Sequence, residues 1–126
     1  FGIECLSRNA NKVVFIERDP TAFAVLKKNV TNLKMIENTE LIFKKIEDHI
    51  NILNKSNKFD IIFLDPPYKD TSFIKVISII KERKIYNNNH KIIIHRERAC
   101  EDELKKIINI DLLKNYGRSK IIFGSF

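Results

Sequence analysis

The sequence predicts an α/β domain: a mostly parallel sheet closed by a C-terminal antiparallel hairpin. Three observations predict it. Short apolar runs alternate with segments of helical periodicity along the whole chain. One run, Phe59-Asp60-Ile61-Ile62-Phe63-Leu64, stops abruptly at Asp65-Pro66-Pro67-Tyr68. The last two apolar runs flank Gly117-Arg118, a turn signal joining neighbouring antiparallel strands.

The elements follow in order. Ile3, Leu6 and Ala10 recur at helical spacing, and Asn9 and Asn11 look like the stop. Lys12 to Arg18 reads as a buried strand ending in acid, Glu17 and then Asp19. Pro20 suits the first turn of a helix over Thr21–Asn32, with Ala22, Phe23, Leu26 and Val30 on its apolar side. A loop over Leu33–Asn38 leads to a short strand, Glu40–Phe43, then a helix over Ile46–Leu53. A polar loop, Asn54–Lys58, enters the run at Phe59, which reads as a strand buried on both faces. Thr71 or Ser72 caps a helix reaching about Lys84, with Phe73, Ile74, Ile77 and Ile80 inward. Asn87-Asn88-Asn89 reads as a turn, His90–His95 as a buried strand, and Glu101–Asn109 as a helix carrying Leu104, Ile107 and Ile108. Asp111–Tyr116 and Ser119–Phe126 are the hairpin strands. Six strands are counted where a pattern of this kind has seven, so the first strand is expected upstream of residue 1, with the single domain lacking its N-terminal segment.

Composition narrows the function classes. With 126 residues, 44% hydrophobic and 31% charged, the chain fits one globular domain. No apolar run reaches the length of a transmembrane helix, and no basic-then-apolar start resembles a signal peptide. Cys5 and Cys100 are far apart and read as reduced thiols of a cytoplasmic protein. His49, His90 and His95 make no metal-ligand spacing, so no metal is expected. The net charge of +7 and pI near 9.5 suit a phosphate-backbone partner, although a lysine-rich coding bias would give the same excess.

Asp65-Pro66-Pro67-Tyr68 is the stretch that carries chemistry. In open α/β sheets ligands bind just outside the carboxyl ends of strands, and this stretch sits at such an end. The prolines fix φ and cannot donate, so the turn is stiff. A carboxylate and a backbone carbonyl that accept both hydrogens of an exocyclic amine would aim its lone pair at an electrophile, and a sulfonium methyl group fits. The proline carbonyls are expected to lack a partner within the turn. Tyr68 offers a face for a base to stack on. The bland reading is a strand-ending turn with a half-buried tyrosine.

With these pieces in place the chain resembles the class I S-adenosylmethionine-dependent methyltransferases. More narrowly it is similar to the RsmD-type enzymes that methylate guanine N2 in 16S ribosomal RNA. The resemblance rests on Gly2-Ile3-Glu4-Cys5-Leu6-Ser7-Arg8-Asn9-Ala10, Val14-Phe15-Ile16-Glu17-Arg18-Asp19, Leu26, Asn29, Phe63-Leu64-Asp65-Pro66-Pro67-Tyr68 and Tyr116-Gly117-Arg118-Ser119-Lys120-Ile121. It implies a Rossmann-like sheet whose first strand and glycine loop precede this chain. Gly2 matches the last glycine of that loop, and Glu17 the acid that holds the cofactor's ribose. Lys44 and Lys45 stand where the family has Asp or Asn near the adenine, which leaves that contact to the backbone around Ile46. Asp65, Pro66, Pro67 and Tyr68 carry over as the target-amine site, with Asp65 also beside S-adenosyl-L-methionine. Lys69, Arg118 and Lys120 are candidates for RNA phosphate, or solvated surface charges. The implied partner is ribosomal RNA or an assembling small subunit, met by a monomer. Other readings stay open: a DNA adenine N6 enzyme, a protein-glutamine enzyme (for which Asn is usual at Asp65), or a basic RNA-binding fragment without activity.

The family's first strand lies between the strands at Lys12–Glu17 and Phe59–Leu64. An unpaired buried backbone group costs about 1–3 kcal/mol, and a strand's worth rivals a total stability of about 5–15 kcal/mol. Residues 1–126 expressed alone are therefore expected to be poorly soluble or partly unfolded and not to bind the cofactor. A cooperative thermal melt with tight S-adenosylmethionine binding by that fragment would overturn this.

Overall fold

The protein, seen as a computed structural model, is described at residues 1–53 and 56–126; Asn54 and Lys55, in the loop expected over 54–58, lie outside the described residues. The chain divides into two compact units, Phe1–His49 and Ile50–Phe126.

In the first unit, helix α1 (Gly2–Ser7) leads to strand β1 (Val13–Glu17), helix α2 (Pro20–Asn32), a 3-10 turn (Ile36–Asn38), strand β2 (Thr39–Phe43) and the short helix α3 (Ile46–Ile50), whose last residue crosses into the second unit. Asn9 takes φ +68, a left-handed conformation that Asn tolerates and that stops α1 as expected. Asp19 caps α2 by accepting from the Ala22 N–H at 2.7 Å, and Pro20 sits in the first turn. Val30 is fully buried, Phe23 and Leu26 are half-buried, and Ala22 is exposed. Phe23 meets Phe43 of β2 at 5.1 Å between ring centroids. Strands β1 and β2 pair in parallel, Val13 opposite Thr39 through Glu17 opposite Phe43. The strand expected to be buried is half-buried at every position, and β1 pairs with β2 in a two-stranded sheet. Helix α3 stops short of the expected Leu53.

The second unit is a four-stranded mixed sheet with strand order β3-β4-β6-β5: β3 (Phe59–Leu64), β4 (Tyr86–Glu97), β5 (Asn109–Tyr116) and β6 (Ser119–Ser125). β3 and β4 are parallel, while β6 runs antiparallel to both β4 and β5. Helix α4 (Phe73–Arg83) buries Phe73, Val76, Ile77 and Ile80, spaced i, i+3, i+4 and i+7 as a core-facing stripe requires. Phe73 and Ile77 meet Ile92, Ile94, Leu104, Ile108 and Ile122 in one core. Gly117 at φ +57 makes the two-residue hairpin turn anticipated from the sequence.

The sheet expected to be mostly parallel is mixed, with β1–β2 and β3–β4 parallel and both pairings of β6 antiparallel, and three further expectations need correction. β3 is not buried on both faces: Ile61 is 49% and Phe63 38% exposed, since only the face bearing Ile62 and Leu64 turns toward the core. Asn87-Asn88-Asn89 is not a turn but lies inside β4, where the register slips between the pairs Phe59–Tyr86 and Ile61–Lys91. That bulge is pinned by buried His90. Its Nε2 accepts the Phe126 N–H at 3.0 Å, so its Nδ1 carries the hydrogen and donates to the Asn87 carbonyl at 2.8 Å. The helix expected over Glu101–Asn109 is a single 3-10 turn, Leu104–Lys106. The Asp102 side chain is drawn to Arg96, and its carbonyl accepts from Leu104 N–H at 2.8 Å, which tightens the chain. Leu104 and Ile108 are buried all the same.

Gly124 on β6 faces the backbone of Asn109: an added Cβ would lie 2.5 Å from the Asn109 carbonyl oxygen and 3.2 Å from Ile108 Cδ1. Backbone cannot yield as a side-chain tip can. Gly124→Ala should cost about 1–3 kcal/mol of stability by urea unfolding of the full-length protein. An unchanged midpoint would contradict this packing.

Candidate functional site

Gly2, Glu17 and Ile46 belong to the first unit, and Asp65, Pro66, Pro67 and Tyr68 to the second. Glu17 ends β1. Its Oε1 accepts two backbone hydrogens, from Arg18 and Asp19, each at 2.7 Å. The carboxylate is thus fixed through one oxygen, and Oε2 accepts nothing from the described residues. The Glu17 carbonyl takes the Lys44 N–H at 3.1 Å, which brings the end of β2 and the start of α3, where half-buried Ile46 stands, to the same carboxyl edge. Gly2 serves packing: a Cβ there would stand 2.4 Å from the Phe15 ring and 3.1 Å from Val13. Close helix–strand contact is one reason such a loop ends in glycine.

Asp65 follows the pair Leu64–Ile94 in the parallel ladder, which sets it beside His95. The two side chains meet, His95 Nδ1 lying 2.8 Å from Asp65 Oδ1. Tyr68 is 45% exposed, and its ring stands edge-on to His95, with centroids 6.3 Å apart at 73°.

The backbone of the turn is held from the opposite face of β4. Ile92, Ile94 and Arg96 alternate inward, and Arg96 is 1% exposed. Its guanidinium donates to both Asp102 oxygens at 3.0 and 3.1 Å, to the Pro67 carbonyl at 2.9 Å and to the Tyr68 carbonyl at 2.9 Å. It also lies over the Phe73 ring at 4.7 Å. The Cys100 thiol reaches the Tyr68 carbonyl at 3.5 Å. The expectation that the proline carbonyls lack a partner within the turn is therefore corrected at Pro67. Pro67 accepts from Arg96 and, within the turn, from the Asp70 N–H at 2.9 Å. Among the described residues no donor reaches the Pro66 carbonyl, which leaves that oxygen and Asp65 Oδ2 as open acceptors.

Lys69 is exposed beside the turn. The Arg118 side chain is 93% exposed and meets Glu97 at 3.2 Å. Lys120 is half-buried, its ammonium bound to the Cys100 carbonyl. Sequence reasoning missed His95, Arg96 and Asp102. A signal was there: Arg96 falls in step with Ile92 and Ile94, an inward place where a lone charge demands partners. No helix among the described residues is long and apolar enough to cross a membrane. No cluster of three or more His, Cys, Asp or Glu among them could hold a metal ion.

The chain resembles known proteins over most of its length. The chain is 36% identical over 98 residues to ribosomal RNA small subunit methyltransferase D of Haemophilus influenzae, covering 77% of this chain and 51% of that protein. It is 36% identical over 126 residues to the protein of the same name from Buchnera aphidicola subsp. Baizongia pistaciae, covering 99% and 62%. The chain spans about half the length of most of the curated relatives it matches. A solved structure of a putative methylase from Haemophilus influenzae superposes with a TM-score of 0.83 at 29% identity, over 98% of this chain and 78% of that one. The family model described as "Conserved hypothetical protein 95" matches residues 1–125, and the chain belongs to that family of RsmD-like methyltransferases.

Proposed function

We propose that the full-length protein transfers a methyl group from S-adenosylmethionine to the exocyclic N2 amine of a guanine in small-subunit ribosomal RNA, in the cytoplasm and as a monomer. The observation that carries this reading is the end of β3: a carboxylate tied by one oxygen and open at the other, next to an open proline carbonyl and an exposed aromatic face. Two acceptors suit the two hydrogens of one amine. The names of the curated relatives support the substrate class, and their shared family supports the chemistry.

The first unit fits the cofactor on its own terms. Glu17 has one oxygen fixed by two amides and the other open, which suits a pair of ribose hydroxyls. Half-buried Ile46 offers an apolar contact for the adenine. When bound, S-adenosylmethionine supplies an electrophilic sulfonium methyl group. Each turnover forms one N–C bond, breaks one C–S bond whose electron pair stays on sulfur, and releases one proton from the amine. Asp65 and the Pro66 carbonyl orient the amine so that its lone pair points in line, and most of the rate comes from that placement. The amine turns acidic only as it gains the methyl, so the proton leaves late, to Asp65 or water. The guanine has to be unpaired or flipped out to reach the turn, where Tyr68 stacks on it for about 1–3 kcal/mol. Lys69 and Arg118 supply charge for phosphate; Lys120 would first have to leave Cys100.

Labelled cofactor, ribosomal RNA from cells lacking the enzyme, and mass analysis of the nucleosides test the reading. N2-methylguanine is the expected product. N6-methyladenine in DNA would instead support the adenine enzyme, and no transfer to any nucleic acid would support a non-catalytic role.

Asp65→Ala should abolish transfer while S-adenosylhomocysteine affinity by calorimetry stays within a few fold. Glu17→Ala should weaken that affinity by about 1–3 kcal/mol, as buried hydroxyls lose their acceptor. Parallel loss of affinity and activity in Asp65→Ala would move Asp65 to the cofactor.

Tyr68→Phe should keep most of the activity and Tyr68→Ala should lose most of it, because the base needs the ring and not the hydroxyl. Equal losses in single-turnover rates would assign the hydroxyl a hydrogen bond instead.

A further inference from the structure

We infer that His95 is a positioning residue for the methyl transfer: it holds Asp65 by one carboxylate oxygen and so presents the other to the target amine. This rests on the reading of Asp65 as the acceptor of that amine. The Asp65 side chain is 58% exposed, and that of His95 25%. An aspartate so open to water, left alone, samples several rotamers of both χ angles. The 2.8 Å contact between His95 Nδ1 and Asp65 Oδ1 selects one of them. An ionised carboxylate only accepts hydrogen bonds, so Nδ1 carries the hydrogen, and the bond is charge-assisted. The Tyr68 ring, edge-on at 6.3 Å, bounds the imidazole on another side.

The turn is held in two separate ways from two successive residues of β4. Arg96, on the inner face, grips the carbonyls of Pro67 and Tyr68. His95, on the outer face, grips the carboxylate. Loss of His95 therefore leaves the turn in place while the carboxylate swings free. A reacting group misplaced by about 1 Å can cost on the order of 100-fold in rate. Asparagine in place of His95 sets its carboxamide nitrogen near the position of Nδ1, so it can restore the bond.

The test compares wild type, His95→Ala and His95→Asn in the full-length protein, with labelled cofactor and unmethylated ribosomal RNA. In His95→Ala, kcat should fall roughly 10- to 100-fold. The KM for RNA, the affinity for S-adenosylhomocysteine and the melting temperature should stay near wild type. His95→Asn should regain most of kcat. Independently of activity, nitrogen-15 spectra of the imidazole should show Nδ1 protonated at neutral pH, with a resonance that moves in Asp65→Asn. A wild-type kcat in His95→Ala, beside an inactive Asp65→Ala, would overturn this inference and leave the function standing. A losing pattern shared equally by Ala and Asn variants, with lowered melting temperatures, would overturn it as well by reducing His95 to packing. Full activity in Asp65→Ala would instead sink the reading of Asp65 on which it rests.

Discussion

The buried ion pair between Arg96 and Asp102 is the constraint on which the carboxyl end of the second unit depends. Their side chains are 1% and 3% exposed. Withdrawing two such charges from water costs several kcal/mol per ion, and mutual attraction offsets that only when the geometry is good and the remaining donors are filled. Both conditions hold. The guanidinium meets the carboxylate through two nitrogens, and its other donors reach two backbone carbonyls. No buried side-chain polar atom among the described residues lacks a partner. The pair therefore does more than neutralise itself. It ties the Leu104 turn, the start of α4 at Phe73 and the proline turn to one point on β4. Breaking it by removing Arg96 would leave Asp102 charged and buried, a loss of about 3–5 kcal/mol.

This explains why the proline turn is rigid without being internally well bonded. Pro66 and Pro67 restrict φ, but a proline contributes no N–H to a turn. The carbonyls need donors from elsewhere, and Arg96 is the side chain whose planar fork can serve two carbonyls and a carboxylate together. Lysine has the charge but not that geometry. The open acceptors, the Pro66 carbonyl and Asp65 Oδ2, are left over after these bonds are made, and they are the ones available to a substrate.

Local signals made most of the fold legible in the sequence. Asp19-Pro20 marked the start of α2, the apolar stripe marked α4, and Gly117 marked the hairpin. What was not legible depended on long-range partners. Leu104, Ile107 and Ile108 have helical spacing, yet Asp102 is used by Arg96 and two β-branched residues follow, so the segment stays a single turn. The run at Phe59 looked doubly buried because both of its faces are apolar, and composition alone does not say which face a neighbour covers. In the candidate site, Asp65 and Tyr68 could be found because proline marks the strand end. His95 could not, because its role comes from the β3–β4 register, which no local pattern encodes, and Arg96 showed only as a charge in step with Ile92 and Ile94, without the distant partners that give it a role.

The same register explains why the site is shared between two strands. In a parallel pair the carboxyl ends lie side by side, so the residue after β3 meets the last turn of the pleat on β4. Alternation then assigns the two neighbours His95 and Arg96 to opposite faces, one toward solvent and one toward the core. The inward member must be fully bonded, because burial tolerates no spare charge. The outward member keeps access to solvent and can lend a single hydrogen bond to a carboxylate that is itself half in water. Each residue type suits its side: a guanidinium with five donors for the dry face, and an imidazole with one donor to spend for the wet one. A chain that broke the apolar period of β4 with an arginine would lose stability unless the charge were used, and here it is used to hold the backbone of the proposed site.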